Sequence, residues 1–211
     1  MWGYFGQFCG ILDESIDSGN LPIALSTLKQ IETKYPFAAD VQSNLATVQL
    51  QLGRADEAIK TLGKAIRTAP DYAPLQLTMA FAMADVGETD KAISFAEKAL
   101  ALQPSMVAAS SFIGKLAMQQ QNYPLAFQSF TSSIQLGDTT PRTRELLAEL
   151  HLRFGRWADA VNHYSIVLQI SPDRTGSIGG MAIALANSGE VGQAFQLLNN
   201  ALQKFPNDPF L

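Results

Sequence analysis

Apolar residues fall along this chain in paired stretches of helical spacing, each pair broken first by a glycine and then by a proline. Between residues 39 and 72, Val41, Leu45, Val48 and Leu52 recur on one helical face until Gly53 interrupts them. Ala55, Ala58, Ile59, Leu62, Ala65 and Ile66 form a second face, which Pro70-Asp71 ends. The pattern predicts two antiparallel helices joined by a short turn. Glycine suits the place where the first helix stops, because positive φ is not penalised there. Proline cannot continue the second helix and presets the bend into the next element.

The arrangement returns every 34 residues. Alanine keeps the beat at Ala24, Ala58, Ala92, Ala126, Ala160 and Ala194. Glycine keeps it at Gly19, Gly53, Gly87, Gly155 and Gly189, with Gln121 the exception. Proline keeps it at Pro36, Pro70, Pro104, Pro172 and Pro206, with Asp138 the exception. A fixed period of this length means one helical hairpin copied and stacked on its neighbours. The alanine is expected where the two helices cross closest. Six units, about 5–38, 39–72, 73–106, 107–140, 141–174 and 175–208, are expected to fill residues 1–211 as a single all-α solenoid.

The departures are readable. Residues 73–106 offer Met79, Phe95 and Leu100 as core fillers, and 107–140 offer Ile113, Tyr123, Phe127, Phe130 and Ile134. In that unit Gln121-Asn122 replaces the glycine, and asparagine tolerates a left-handed backbone. Asp138 replaces the proline, and Thr140 before Pro141 reads as a helix N-cap with proline at the first helical position. Residues 141–174 are expected to point Trp157, Val161, Tyr164 and Leu168 inward. Gly176, Gly179 and Gly180 in the last unit admit two readings, close packing or a looser helix. Gly6 and Gly10 make the first unit irregular as well.

Composition narrows the function. Hydrophobic residues make up 47% and charged ones 16%, against about a quarter charged in ordinary domains, so a continuous core can be buried. A net charge of -4 argues against a nucleic-acid binder that neutralises phosphates. No apolar run reaches membrane-spanning length. The aromatic start, with Trp2, Tyr4, Phe5 and Phe8, lacks a basic leader region and reads as an atypical first helix. Cys9 is the one cysteine, a small apolar filler. His151 and His163 are the two histidines, and His151, among Leu147, Ala148 and Leu152, is expected to be a packed, hydrogen-bonded core residue. No metal-ligand spacing, nucleophile motif or phosphate loop is present, and Ser177-Ile178-Gly179-Gly180 lacks the lysine of the last. No cofactor and no enzymatic activity are therefore expected.

These residues resemble the tetratricopeptide repeat family, whose unit carries small residues, glycine, alanine and proline at fixed places. Residues 39–72 match it with Leu45, Ala46, Gly53, Ala58, Leu62, Ala65 and Pro70, and later units add Gly114, Phe130, Tyr164, Ala182 and Ala201. The resemblance implies a right-handed superhelix whose first helices line a concave groove for a protein or peptide. In that register one ladder is Asp13, Thr47, Phe81, Lys115, Glu149 and Ile183. A second is Cys9, Ser43, Leu77, Ser111, Glu145 and Gly179. The family's clamp for chaperone tails needs lysine, asparagine and arginine where this chain has Cys9, Asp13, Asn44, Pro74 and Thr78, so such a tail is not the expected ligand.

Charge on that surface is expected to change along it. Asp13, Asp17, Asp40 and Asp85 make the first half acidic, and Lys115, Arg142 and Arg153 make the second half basic with mixed sign. Leu77, Phe81 and Phe112 supply an apolar middle, although Arg142 with Glu145 and Glu149 with Arg153 stand at helix-pair spacing and can neutralise each other. Neither end carries a polar cap, which predicts docking on partners, on copies of the chain, or on further repeats. The expected function is a non-catalytic interaction scaffold. The alternative is the recruitment region of a larger enzyme, such as a transferase, or of a bacterial envelope-assembly machine.

Overall fold

The computed structural model describes residues 20–211, and every regular element among them is an α-helix. The chain divides into two compact units, one running to Ala109 and the other starting at Ser110. The first contains α1 (Leu21–Lys34), α2 (Ala39–Gln51), α3 (Ala55–Thr68), α4 (Ala73–Asp85) and α5 (Thr89–Leu102). Helix α6 (Val107–Gln119) starts three residues before the division. The second unit continues with α7 (Tyr123–Gln135), α8 (Pro141–Arg153), α9 (Trp157–Ile170), α10 (Thr175–Asn187) and α11 (Val191–Lys204). First helices thus start at 39, 73, 107, 141 and 175, and second helices at 55, 89, 123, 157 and 191, all on the predicted period. Among the described residues no helix is long and apolar enough to cross a membrane. The expected first helix of the first hairpin, with Gly6, Gly10 and Gly19, lies outside the described residues.

Each marker does the work its chemistry suggests. Ala24, Ala58, Ala92, Ala126 and Ala160 are all fully buried, where helices meet with no room for a larger side chain. In the first unit Ala46, Ala58, Leu62 and Met79 share one apolar cluster, and α2 touches α4 directly. In the second, Phe130 packs with Ala117, Leu147 and Leu150, and α8 touches α10. First helices end in a glycine-centred turn: Gly53 has φ +71°, and the next N–H, of Arg54, reaches back to the Gln49 carbonyl at 2.8 Å. The prolines fall in the turns between hairpins, where one backbone bond recurs, as from Ala38 to Tyr35 and from Tyr72 to Ala69. Gln42 and Gln76 reinforce two of these turns by donating to the carbonyls of Pro36 and Pro70.

The exceptional unit differs from expectation in detail. Gln121, not Asn122, takes the left-handed backbone, with φ 59°. Asn122 instead caps α7, its Oδ1 accepting from the Leu125 N–H at 3.3 Å. Thr140 occupies the N-cap position of α8 but its side chain caps nothing. Its hydroxyl donates to Asp138, which also accepts from the Thr140 N–H at 2.9 Å, from Ser133 at 2.7 Å and from Thr143 at 2.8 Å. A buried aspartate with four donors thus fixes the turn that proline fixes elsewhere, while Gly137 reverses the chain at φ +100°.

Burial raises the Asp138 pKa, but the hydrogen bonds from Thr140, Ser133 and Thr143 outweigh it and bring the carboxyl from 3.8 to about 2. The folded-state value lies below the unfolded one, so this stabilisation is present above pH 3.8 and is lost as pH falls through about 2. Asp138→Ala is expected to cost about 2 kcal/mol at neutral pH. Urea denaturation should show that difference at pH 7 and a much smaller one near the lower limit. Equal differences at both would show that the charge contributes nothing.

Candidate partner-binding surface

The two ladders behave differently once the helices are packed. Thr47 in the first unit and Lys115 and Ile183 in the second are exposed, and Phe81 and Glu149 are half-buried on the same rung. This ladder faces outward from the first helices of each unit. The other ladder is mostly a seam between neighbouring first helices. Ser43 is buried with its hydroxyl 3.1 Å from that of Thr78, and Leu77 is 8% exposed. Glu145 is buried too, held by Arg174 through two bonds of 2.5 Å and by the Ser177 hydroxyl. Ser43, Leu77 and Glu145 are therefore buried, and of the three Glu145 also lines a cavity of the second unit. Ser111 and Phe112 are half-buried, and Asp85 is exposed. Cys9, Asp13 and Asp17 lie outside the described residues.

Of the residues expected to make the second half basic, Arg142 is paired with carboxylates. Arg142 stands 3.4 Å from Glu145 and 3.6 Å from Glu149. Arg153 lies over the Tyr123 ring, 4.6 Å from its centre, and its charge also acts on Glu149. Burial raises the Glu149 pKa, with Arg142 opposing and Glu145 adding to the rise. In Glu145, burial is the largest influence and would raise the pKa. The bonds from Arg174 and Ser177 together outweigh it, so the net shift is downward.

Around Arg142 and Glu149 the second unit opens a cavity of about 730 Å³. Leu152 and Ile183 give it apolar wall, and Gly176, Gly179 and Gly180 bring the α10 backbone to its surface. Gly180 answers the question its sequence left open: the Tyr164 ring lies so close that any Cβ there would overlap it. This is close packing. Gly176 has open space around it. The Tyr164 side chain, 3% exposed in total, reaches the same cavity, and burial followed by the charges of Glu149 and Glu145 pushes its pKa up. The phenol therefore stays a proton donor through the physiological range.

The histidines are packed, but not as expected. His151 is buried, stacked on His163 at 5.1 Å between ring centres, with Phe127 edge-on at 5.1 Å. Its Nδ1 has no hydrogen-bond partner; the nearest carboxylate, of Asp159, stands 3.6 Å away. Burial lowers the pKa of both rings, so they remain neutral to lower pH than free histidine. Beside them Arg156 lies over Phe127 at 5.1 Å and Phe154 at 5.9 Å. Among the described residues no three His, Cys, Asp or Glu side chains converge as metal ligands.

Known proteins supply the comparison. Three family models, each described as tetratricopeptide repeat, match residues 15–80, 82–141 and 143–178. No curated protein matches the sequence. Among solved structures, PilF of Pseudomonas aeruginosa is similar with a TM-score of 0.82 at 16% identity, over 97% of this chain and 93% of that one. YrrB, titled a TPR protein with an unusual peptide-binding site, is similar with a TM-score of 0.76 at 14% identity, over 87% and 94%. A tetratricopeptide repeat protein from Parabacteroides merdae gives 0.65 at 22%, over 94% and 79%. Identities this low speak to the fold alone. Period, hairpins and the consecutive matches agree: the chain belongs to the tetratricopeptide repeat family, an all-α helical repeat class.

Proposed function

We propose that this chain is a scaffold without chemistry of its own, holding a protein or peptide against the outward rung of its first helices. The tetratricopeptide repeats mark a protein-interaction fold. The observation that carries the location is the contrast between ladders. Thr47, Lys115 and Ile183 stay exposed and differ in chemistry from unit to unit, whereas the alanine positions are buried and identical. Stacking accounts for the second set and has no use for the first. In the first unit Asp85 adds an acidic group near Phe81, and in the second Glu149 stands at a cavity large enough for side chains of a partner.

Photo-crosslinking residues placed singly at Thr47, Lys115 and Ile183 test this in the native host, with Lys60 and Asn162, exposed on second helices, as controls. The first three are expected to trap the same partner and the last two none. Trapping from the second-helix positions alone would overturn the proposal.

A further inference from the structure

The two histidines form a pair whose surroundings suit neutral rings and not charged ones. His151 of α8 is buried and stacks on His163 of α9, with ring planes 21° apart and centres 5.1 Å apart. Phe127 of α7 meets His151 edge-on. Neither Nδ1 has a hydrogen-bond partner, and both atoms are closed to solvent. A neutral imidazole can leave one ring nitrogen as a bare acceptor, whereas an imidazolium carries a proton on both. A proton added to this pair therefore places a charged N–H where no acceptor stands within bonding distance.

The charges around the pair deepen the conflict. Among the described residues Asp159 of α9 is the carboxylate that acts on both rings. Its Oδ2 lies 3.6 Å from His151 Nδ1, but its side chain is 60% exposed and screened by water. Against it stand Arg156, acting on His151, and Arg144 of α8, acting on His163. The Arg144 Nε is itself buried without a partner, so this layer is already short of acceptors. Neighbouring helices add no counter-ion: α7 carries one titratable side chain, Tyr123, which lies under Arg153, and α10 carries none. One proton can go to His151 with Asp159 as counter-ion. A second, on His163, meets a stacked cation and Arg144.

We propose that the His151–His163 pair is a proton-sensitive joint of α7, α8 and α9, closed while both rings are neutral and loosened by mild acid. The first unit, which carries no histidine, stays closed under the same conditions. The inference stands independently of the scaffold reading.

The pH window singles out the pair. Burial lowers the pKa of both rings from 6.5, so their contribution is complete above 6.5 and is lost as pH falls below it toward the folded values. Asp138 and Glu145 act lower, below 3.8 and 4.5. Glu149 has a raised pKa and acts with the opposite sign, gaining stability as it takes up its proton. A loss of stability between pH 6.5 and about 5 therefore belongs to the histidines.

Amide exchange of the full chain at about pH 7.5 and about pH 5.5, corrected for the intrinsic exchange rate, tests the joint. On going to the lower pH, the opening constants of α8 and α9 are expected to rise about tenfold and those of α2 and α3 less than about twofold. His151→Phe with His163→Phe keeps two stacked rings without a titrating nitrogen and is expected to abolish the rise. Imidazole proton signals of the parent chain give a second measurement that needs no variant: both rings are expected to titrate below 6.5, His163 after His151. An equal rise in both units would overturn the proposal, as would a rise that survives the double replacement. Rings that titrate at 6.5 or above would overturn it as well.

Discussion

Phe130→Ala is expected to destabilise the second unit by about 3–5 kcal/mol, the range for a fully buried phenylalanine truncated in a packed core. Phe130 has no exposed surface and sits with Ala117, Leu147 and Leu150, so it joins three helices at one point. Its ring also explains Gly114. A Cβ on that glycine would stand 2.6 Å from Cε1 and 2.7 Å from Cδ1 of the ring, tighter than packing allows. Gly114→Ala alone is therefore expected to cost about 1–3 kcal/mol through overpacking. Phe130→Leu alone opens a cavity. Combined, the added methyl fills part of the removed ring volume, and the double variant is expected to be more stable than the sum of the two singles. Urea denaturation gives the energies, and amide exchange should place the loss in α6, α7 and α8. Strict additivity would mean that the two residues do not share the space their geometry indicates.

That pair shows why so much of the fold can be read from sequence. A stacked hairpin leaves few choices at the crossing points: alanine where helices touch, glycine where the first helix reverses, a large filler facing a small one. The 34-residue period exposes those constraints by repetition, and helices start on it to the residue. Where the repetition failed, the substitute device was harder to read. Asp138 works through hydroxyls two, five and five residues away, from Thr140, Thr143 and Ser133. Each of those is common in sequence, and only their convergence makes the turn. Gln121 adopts a left-handed backbone, in the turn between α6 and α7, that its side chain does not advertise.

The surface was legible in part. The outward rung follows from helical geometry, and Thr47, Lys115 and Ile183 are exposed accordingly. Of the charge pairs, the local spacings were legible and the long-range one was not. Arg142 beside Glu145 was visible as a three-residue spacing, whereas Arg174 reaches Glu145 across 29 residues, from the turn that ends the same repeat. An acid at the fifth place with an arginine at the last place of one repeat is the signal that finds such a bond. Gly179 was visible as a helix-weakening residue but not as a point of close backbone approach, since its neighbour Phe210 belongs to the following turn.

Glu145→Ala is expected to cost about 2–3 kcal/mol, more than any exposed ion pair here, because it strips a buried acceptor from several donors at once. The carboxylate joins α8 to the start of α10 through Arg174 and Ser177, and Ser177 is 1% exposed. Arg174 is 38% exposed at its side chain and can regain water, which keeps the cost below that of a wholly buried pair. Glu145→Gln retains the shape and one acceptor and should lose about half as much. The net pKa shift of Glu145 is downward, so its stabilisation is present above the ordinary glutamate value of 4.5 and fades as pH falls through the lowered folded value. Arg54 with Glu57, both about half exposed, is the contrast: Glu57→Ala should change stability by less than about 0.5 kcal/mol. Replacing Glu145 by leucine and Arg174 by methionine together should recover most of the loss, since an apolar pair needs no acceptor. If the double replacement is as damaging as Glu145→Ala, the bond to Ser177 rather than the ion pair is what holds α8 to α10.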